Sequence, residues 1–273
     1  MTEFINKPLL MGILNVTPDS FSDGGRYDSP ATALAHAEHM LNQGVDIIDV
    51  GGESTRPYSM SVSSGEQIHR VIPVIKAIRK HLSSTIPISI DTRLSSVARL
   101  ALAEGANIIN DVSAGASDPE ILTVAAKADC PIVLMHMQGT PQTMQNAPHY
   151  DHVVNEIITR LLERVSAAQN AGIRSERIIL DPGIGFGKQT HHDLALLHHL
   201  KQLTEQGFPV LLGASRKKFM HSFVDRSDEN GLDMTTAVTT ALAVMAGVQI
   251  IRVHEVKSNR QALDLAWSIK HAN

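Results

Sequence analysis

The sequence predicts a closed (β/α)8 barrel in a single domain spanning residues 1–273, with its site where the strands end, and three observations carry that prediction. Short apolar runs recur along the chain, each ending in a polar residue or a glycine. Segments of helical periodicity lie between them. No linker or low-complexity tract divides the chain, and the βα unit is the one period it contains.

The runs come in order. Residues 9–14 precede Asn15, 45–50 precede Gly51, 86–90 precede Asp91, and 108–109 precede Asn110. Residues 132–135 precede His136, 178–180 precede Asp181, 210–212 precede Gly213, and 250–253 contain Arg252. Helical spacing of apolar residues marks 31–42, 68–82, 97–104 and 154–168. Eight β-branched-rich runs alternating with helices imply parallel strands joined by right-handed crossovers, and eight such units in this length suit a TIM barrel. An open, doubly wound sheet is the alternative. Two connections, 16–29 and 53–65, exceed the usual βα loop and are rich in Ser, Gly, Asp and Pro, so lids over a site are expected there. The segment 235–248 is apolar with small residues nearly all round, which expects a helix either deeply packed or shared with another subunit.

Composition narrows the function. With 43% hydrophobic and 19% charged residues, the 273-residue chain can bury a large core. A formal charge of -4 with dispersed Lys and Arg gives no footprint for nucleic acid. The first residues show no signal-peptide pattern, and 235–248 is too short to span a bilayer, so no membrane association and a cytoplasmic location are expected. The one cysteine, Cys130, fits a reducing compartment and reads as a small buried hydrophobe.

In a barrel of this kind, function gathers at strand ends, where the sequence puts Asn15, Asp91, Asn110, Asp181, Ser215, Arg252 and His254. A ring of buried polar groups needs either mutual hydrogen bonds or a polar ligand. Asp91 precedes a helical segment and so has helix capping or a structural salt bridge as its plain reading. Asp181 does not, because Pro182 and a glycine-rich loop follow; an ionised carboxylate there suits a planar N–H edge, with Asn110 adding a mixed donor and acceptor pair. The loop Gly183-Ile184-Gly185-Phe186-Gly187-Lys188 matches neither nucleotide fingerprint, yet lets a backbone approach a ligand and offers the Phe186 face. Gly213-Ala214-Ser215-Arg216-Lys217-Lys218 is expected to open a helix, with N–H groups, a hydroxyl and cations facing an anion. Arg252 and His254 alternate along strand eight and read together as a phosphate clamp. No HExxH or cysteine pair supports a metal centre, and His191, His192, His198 and His199 are expected on a wet helix face. Met135, Met137, Met144 and Met220 read as core or pocket filler.

The stretch Met11-Gly12-Ile13-Leu14-Asn15-Val16-Thr17-Pro18-Asp19-Ser20-Phe21-Ser22-Asp23-Gly24-Gly25 closely resembles the first signature of the dihydropteroate synthases, pterin-binding enzymes of folate synthesis. Gly51 to Pro57, Asp91-Thr92, Ile109-Asn110-Asp111, Met135 to Gly139, Asp181-Pro182-Gly183, Ser215-Arg216-Lys217 and Arg252-Val253-His254 match later family motifs in order. The resemblance implies condensation of 6-hydroxymethyl-7,8-dihydropterin diphosphate with 4-aminobenzoate to 7,8-dihydropteroate and pyrophosphate. It implies that Asp181 and Asn110 hold the pterin edge, Lys217 its carbonyl side and Asp91 the ring, with Met137 and Gly213 adjoining. Asn15, Arg252 and His254 then hold the diphosphate, and Asn15 also ligates Mg2+. Thr55, Arg56 and Pro57 in the second long loop, with Ser215 and Phe186, would contact diphosphate and 4-aminobenzoate, while Asp19 and Asp23 close over the reacting centre. Arylsulfonamides are expected to compete with 4-aminobenzoate, and a homodimer is implied.

A weak arylamine nucleophile, a good leaving group and an electron-rich pterin favour an SN1-like substitution. That needs a clamp for departing charge and carboxylates near the cation, Asp91 and Asp23, with no covalent nucleophile. The chain departs from the family pattern at Tyr58, Leu94 and Ile184, none of them assigned to substrate. A methyltetrahydrofolate-binding corrinoid methyltransferase and a pterin-binding paralogue without turnover are the alternatives.

Overall fold

A computed structural model describes residues 7–17, 30–55 and 59–272. Eight parallel strands form one sheet in the order β6-β5-β4-β3-β2-β1-β8-β7. They are β1 (Leu9–Asn15), β2 (Ile47–Gly51), β3 (Ile88–Asp91), β4 (Ile108–Asp111), β5 (Ile132–Met135), β6 (Ile178–Asp181), β7 (Leu211–Leu212) and β8 (Ile250–Val253). A parallel bridge between Leu180 and Val210, with Leu180 N–H donating to Pro209 O at 2.8 Å, joins the two ends of that order. The expected barrel is therefore the one observed.

Helices follow the strands: α1 (Pro30–Asn42), α2 (Ser64–His81), α3 (Ser95–Ala103), α4 (Glu120–Ala128), α5 (Val153–Asn170), α6 (Thr190–His198), α7 (Leu200–Thr204), α8 (Glu229–Ala246) and α9 (Val256–Lys270). Local chemistry sets their limits. Ser63 accepts a hydrogen bond from Glu66 N–H to start α2, whose last turn carries Arg79, Lys80 and His81 against the negative end of the dipole. Asp228 caps α8 through Gly231 N–H, so that helix begins six residues before the apolar stretch seen in the sequence.

Two layers of core result from the strand alternation. Side chains on the outer face, such as Leu10, Ile48, Ile90 and Val253, pack under the helices. Those on the inner face, Met11, Ile47, Ile108, Val133, Ile179, Leu211 and Ile250, fill the lower barrel. That apolar plug confines polar chemistry to the other end.

One expected element is corrected. Residues 214–218 open no α-helix: a 3-10 turn, Lys218–Ser222, follows, and Arg216 takes a left-handed φ of 52°. The run ahead of α8 is closed by Asp228, so the helix dipole does not act at Ser215.

Candidate active site

Counting two residues on from each member of the apolar plug reaches the next inward layer: Ile13, Asp49, Asn110, Met135, Asp181, Gly213 and Arg252. Asp91 stands beside Asn110 in the strand register. Two residues further come Asn15, Met137, Ser215 and His254. Nearly every strand-end residue singled out in the sequence shares this inward parity, which is why the fold brings them to one place.

Arg252 joins the floor to the rim. Its Nε donates to Asp49 Oδ2 at 2.7 Å and its Nη2 to Asp91 Oδ2 at 2.8 Å. Asn110 Nδ2 donates to the same Asp49 oxygen at 3.1 Å. An ionised carboxylate only accepts, so this contact fixes the Asn110 amide and turns its carbonyl oxygen away from Asp49. Burial pushes the Asp91 carboxyl well above its ordinary range, opposed by Arg252 and reinforced by Asp49, Glu53 and Asp111. Asp91 is thus no helix cap but the partner of Arg252 in a buried ion pair, and the first N–H of α3, that of Ser95, donates to Asp118 Oδ2 at 2.7 Å.

Asp181 accepts from Gly183 N–H through Oδ1 at 2.7 Å. Burial lifts its carboxyl to about 6, against the pull of that N–H and of Lys217, Arg252 and Lys188. Its other oxygen lies 3.9 Å from where a Cβ would stand at Gly213, so the missing side chain there leaves space above the carboxylate. Lys217 Nζ sits 4.0 Å from the centre of the Phe186 ring, a cation–π contact. Burial and Arg252 draw the Lys217 amine down to about 8, while Asp181, Asp193 and Asp91 hold it up.

Higher on the wall, Ser215 Oγ lies 2.9 Å from His254 Nδ1 and accepts from His254 N–H at 3.2 Å. Arg216 turns away, pairing through Nε and Nη2 with both oxygens of Asp233 at 2.7 and 2.8 Å. The resulting cleft is lined by Asn15, Thr55, Asp91, Phe186, Gly213, Ser215, Lys217, Arg252 and His254 among the expected residues. Asn110 and Asp181 do not line it but lie buried below, Asn110 beside Asp91 in the strand register and Asp181 facing Gly213, and Met137 packs against the Val112, Met135, Met144 and Phe186 cluster. Met144 also lines the cleft, and Met220 is buried.

Asp19, Asp23, Arg56 and Pro57 lie outside the described residues, as do 18–29 of the first long loop. In the second loop, Glu53 is pinned by Arg93 Nη2 at 2.9 and 3.0 Å and accepts from Val62 N–H, which ties the loop's return to the barrel. Sequence reasoning missed Asp49 and Glu53. The signal for Asp49 was an acid inside the apolar run Ile47-Ile48-Asp49-Val50, on the same parity as Ile47. The histidine expectation needs one correction: His191, His198 and His199 are exposed, but His192 is buried, its Nδ1 accepting from Gln189 N–H in a reciprocal cap of α6. Cys130 is buried, and burial pushes its thiol up to about 11, as expected of an inert side chain. Among the described residues no group of three His, Cys, Asp or Glu side chains is placed to hold a metal ion. No helix of the described residues is long and apolar enough to cross a membrane.

Comparison with known proteins agrees with this geometry. The pattern defining the pterin binding enzyme family matches residues 11–254. The dihydropteroate synthase of Synechocystis is 46% identical over 94% of this chain and 88% of its own. Among solved structures, Yersinia pestis dihydropteroate synthase in a sulfonamide drug complex superposes with a TM-score of 0.91 at 39% identity, covering 97% of this chain and 95% of that one. Xanthomonas albilineans dihydropteroate synthase with 4-aminobenzoic acid gives 0.91 at 41% identity, covering 98% and 95%. With its inward-facing polar ring and these likenesses along nearly its whole length, the chain belongs to the dihydropteroate synthase family of pterin-binding enzymes.

Proposed function

We propose that this chain condenses 6-hydroxymethyl-7,8-dihydropterin diphosphate with 4-aminobenzoate, giving 7,8-dihydropteroate and pyrophosphate for folate synthesis. The observation that carries the reading is one cleft with two chemistries. Below its lining lie the buried Asp181 carboxylate and Asn110 carbonyl, which would meet a planar N–H edge, and its rim offers Arg252, Ser215 and His254 to an anion.

In this reading Asp181 and Asn110 hold the pyrimidine edge of the pterin, Lys217 donates to its carbonyl oxygen, and Asp91 faces the ring. Asn15, Arg252 and His254 hold the diphosphate; Thr55, Arg56, Pro57, Ser215 and Phe186 border the diphosphate and the arylamine; Met137 and Gly213 shape the wall. The methylene C–O bond breaks with its electron pair leaving on the diphosphate. The arylamine nitrogen then bonds to the methylene carbon and releases a proton. Asp91, with Asp19 and Asp23 from the first loop, stabilises the developing cation, and the rim cations stabilise the departing charge. Binding energy at both ends holds the reacting centre in line.

The donor set suits Mg2+ of a particular kind. Asn15 offers one neutral oxygen at the cleft, over Gly51, and a hard six-coordinate cation would draw its remaining ligands from water and diphosphate. When bound, it supplies charge neutralisation to the leaving group.

A homodimer accompanies this reading. Met234, Val238, Leu242 and Met245 recur at helical spacing on α8 and are 70%, 57%, 65% and 49% exposed, beside exposed Leu265 and Ile269 of α9. An apolar stripe of that extent fits a second copy of the chain. Arylsulfonamides, sharing the aryl and anionic features of 4-aminobenzoate, would compete for the arylamine end.

Mixing the purified chain with both substrates and Mg2+ tests the proposal. Dihydropteroate and pyrophosphate appearing one to one is the expected result. Methyl transfer from methyltetrahydrofolate to cob(I)alamin without dihydropteroate, or tight pterin binding without product, would overturn it.

A further inference from the structure

Lys188 is used by nothing in the proposed reaction, yet it is among the most buried charged side chains of the protein, 3% exposed. Its Nζ reaches three acceptors: Gly183 O at 2.8 Å, Phe186 O at 3.0 Å and His136 Nδ1 at 3.2 Å, with His136 O further off at 3.5 Å. An ammonium has three donors, so one protonation state satisfies the whole set. Burial and the charge of Lys188 hold His136 far below its ordinary range, leaving a neutral ring with Nδ1 as acceptor. No carboxylate among the described residues forms an ion pair with Lys188; Asp193, on α6, accepts from Gly185 N–H at 2.8 Å instead. Burial draws the Lys188 amine down, and the more distant charges of Asp193 and Asp181 only partly offset that cost. An apolar side chain of equal length would fill the space without that cost, so what the lysine adds is the shape it imposes.

We infer that Lys188 is a positioning residue, its ammonium tying the end of β5 to the 183–187 turn and so setting the Phe186 ring against Lys217 on the cleft wall. The turn is held from both sides. Gln145 Nε2 donates to Gly185 O at 3.0 Å and Tyr150 Oη to Gly187 O at 2.9 Å, but among the described residues only the Lys188 side chain spans its first and fourth carbonyls. A Cβ at Gly185 would stand 3.1 Å from Lys217 Cδ, so the turn packs directly on the second lysine. A shift of the turn therefore moves the aromatic wall and its cation together. The inference rests on the reading that Phe186 borders the arylamine.

Steady-state KM values for both substrates in wild type, Phe186→Ala, Lys188→Met and Lys188→Gln provide the test, each normalised to folded protein by its thermal transition. Both Phe186→Ala and Lys188→Met are expected to raise KM for 4-aminobenzoate about tenfold, leaving that for the pterin diphosphate within about twofold, as misplacement of a positioning group would. Lys188→Gln keeps two N–H donors without the charge and falls between; it carries the test if the methionine variant does not fold. A raised arylamine KM in Phe186→Ala with none in the two lysine variants would overturn the inference alone. So would a lowered thermal midpoint with the ratio of the two KM values unchanged. An unchanged arylamine KM in Phe186→Ala would overturn the subsite reading and the inference with it.

Discussion

Arg252 Nε and Asp49 Oδ2 meet at 2.7 Å inside the barrel, from β8 and β2, the two strands that flank β1. Asp49 is fully buried, and the same oxygen receives Asn110 Nδ2. The two halves of the proposed site, pterin floor and diphosphate rim, thus share one anchor. Removing Asp49 leaves the buried Arg252 with Asp91 as its remaining counter-charge and Asn110 Nδ2 without its acceptor, so Asp49→Leu is expected to cost about 3 kcal/mol. Asp49→Asn retains an acceptor for both donors and should cost nearer 1 kcal/mol. Urea denaturation of both variants checks this; equal small losses would remove Asp49 from its role as anchor.

The pH dependence follows from two buried groups. Asp181, raised to about 6 by burial, must be ionised to accept from a ligand edge, so kcat/KM rises as pH increases through about 6, with Asp91 extending that limb upward. Lys217, drawn down to about 8 by burial and Arg252, must be protonated to donate, so kcat/KM falls above about 8. A bell between these limits is expected, and Lys217→Arg should carry the alkaline limb beyond it, because a guanidinium stays charged. An alkaline limb unmoved in that variant would detach Lys217 from the pH profile. For stability the sign of Asp181 is opposite: a carboxyl raised in the folded state favours folding at low pH and loses that contribution as pH rises from about 4 through about 6.

Gly183 has no room for a side chain. Its φ is 65°, and a Cβ would stand 1.9 Å from His136 O, a backbone atom that cannot rotate aside. Gly183→Ala must move β5 or the turn, at a cost of about 3 kcal/mol or more, on the scale of backbone strain combined with overpacking. Thermal unfolding and pterin titration should both be impaired; a variant with wild-type stability would show the turn to be pliable.

The exposed stripe on α8 yields an assembly prediction. Leu242→Asp places a charge in its middle and is expected to convert a dimer to a monomer in sedimentation, at protein concentrations near 1 μM, where a standard apolar interface holds and a broken one does not. A wild-type chain already monomeric would remove the dimer proposal.

Much of this was legible in the sequence, for physical reasons. All eight runs became strands, because β-branched residues between helical segments leave few other folds. Asp181 stood out because no helix could start at Pro182, and the loop it precedes indeed runs to Gln189 before α6. What escaped notice depended on partners distant in sequence. Asp49 went unremarked inside an apolar run because its partner, Arg252, lies 203 residues away. Ser215 to Lys218 promised a helix start, but Arg216 found Asp233 on α8 and took a left-handed turn to reach it. Lys188 was seen only as the end of a glycine-rich motif, since nothing local announces that three acceptors will converge on its amine.

The central claim is that one ring of strand-end residues reads a pterin diphosphate in two halves. Calorimetric titration of Asp181→Asn with 6-hydroxymethyl-7,8-dihydropterin and, separately, with pyrophosphate and Mg2+ tests it most directly. The expected result is a roughly 10- to 100-fold loss of affinity for the bare pterin, the worth of a charge-assisted contact, with pyrophosphate binding retained. Unchanged pterin affinity, or equal loss of both ligands, would contradict it.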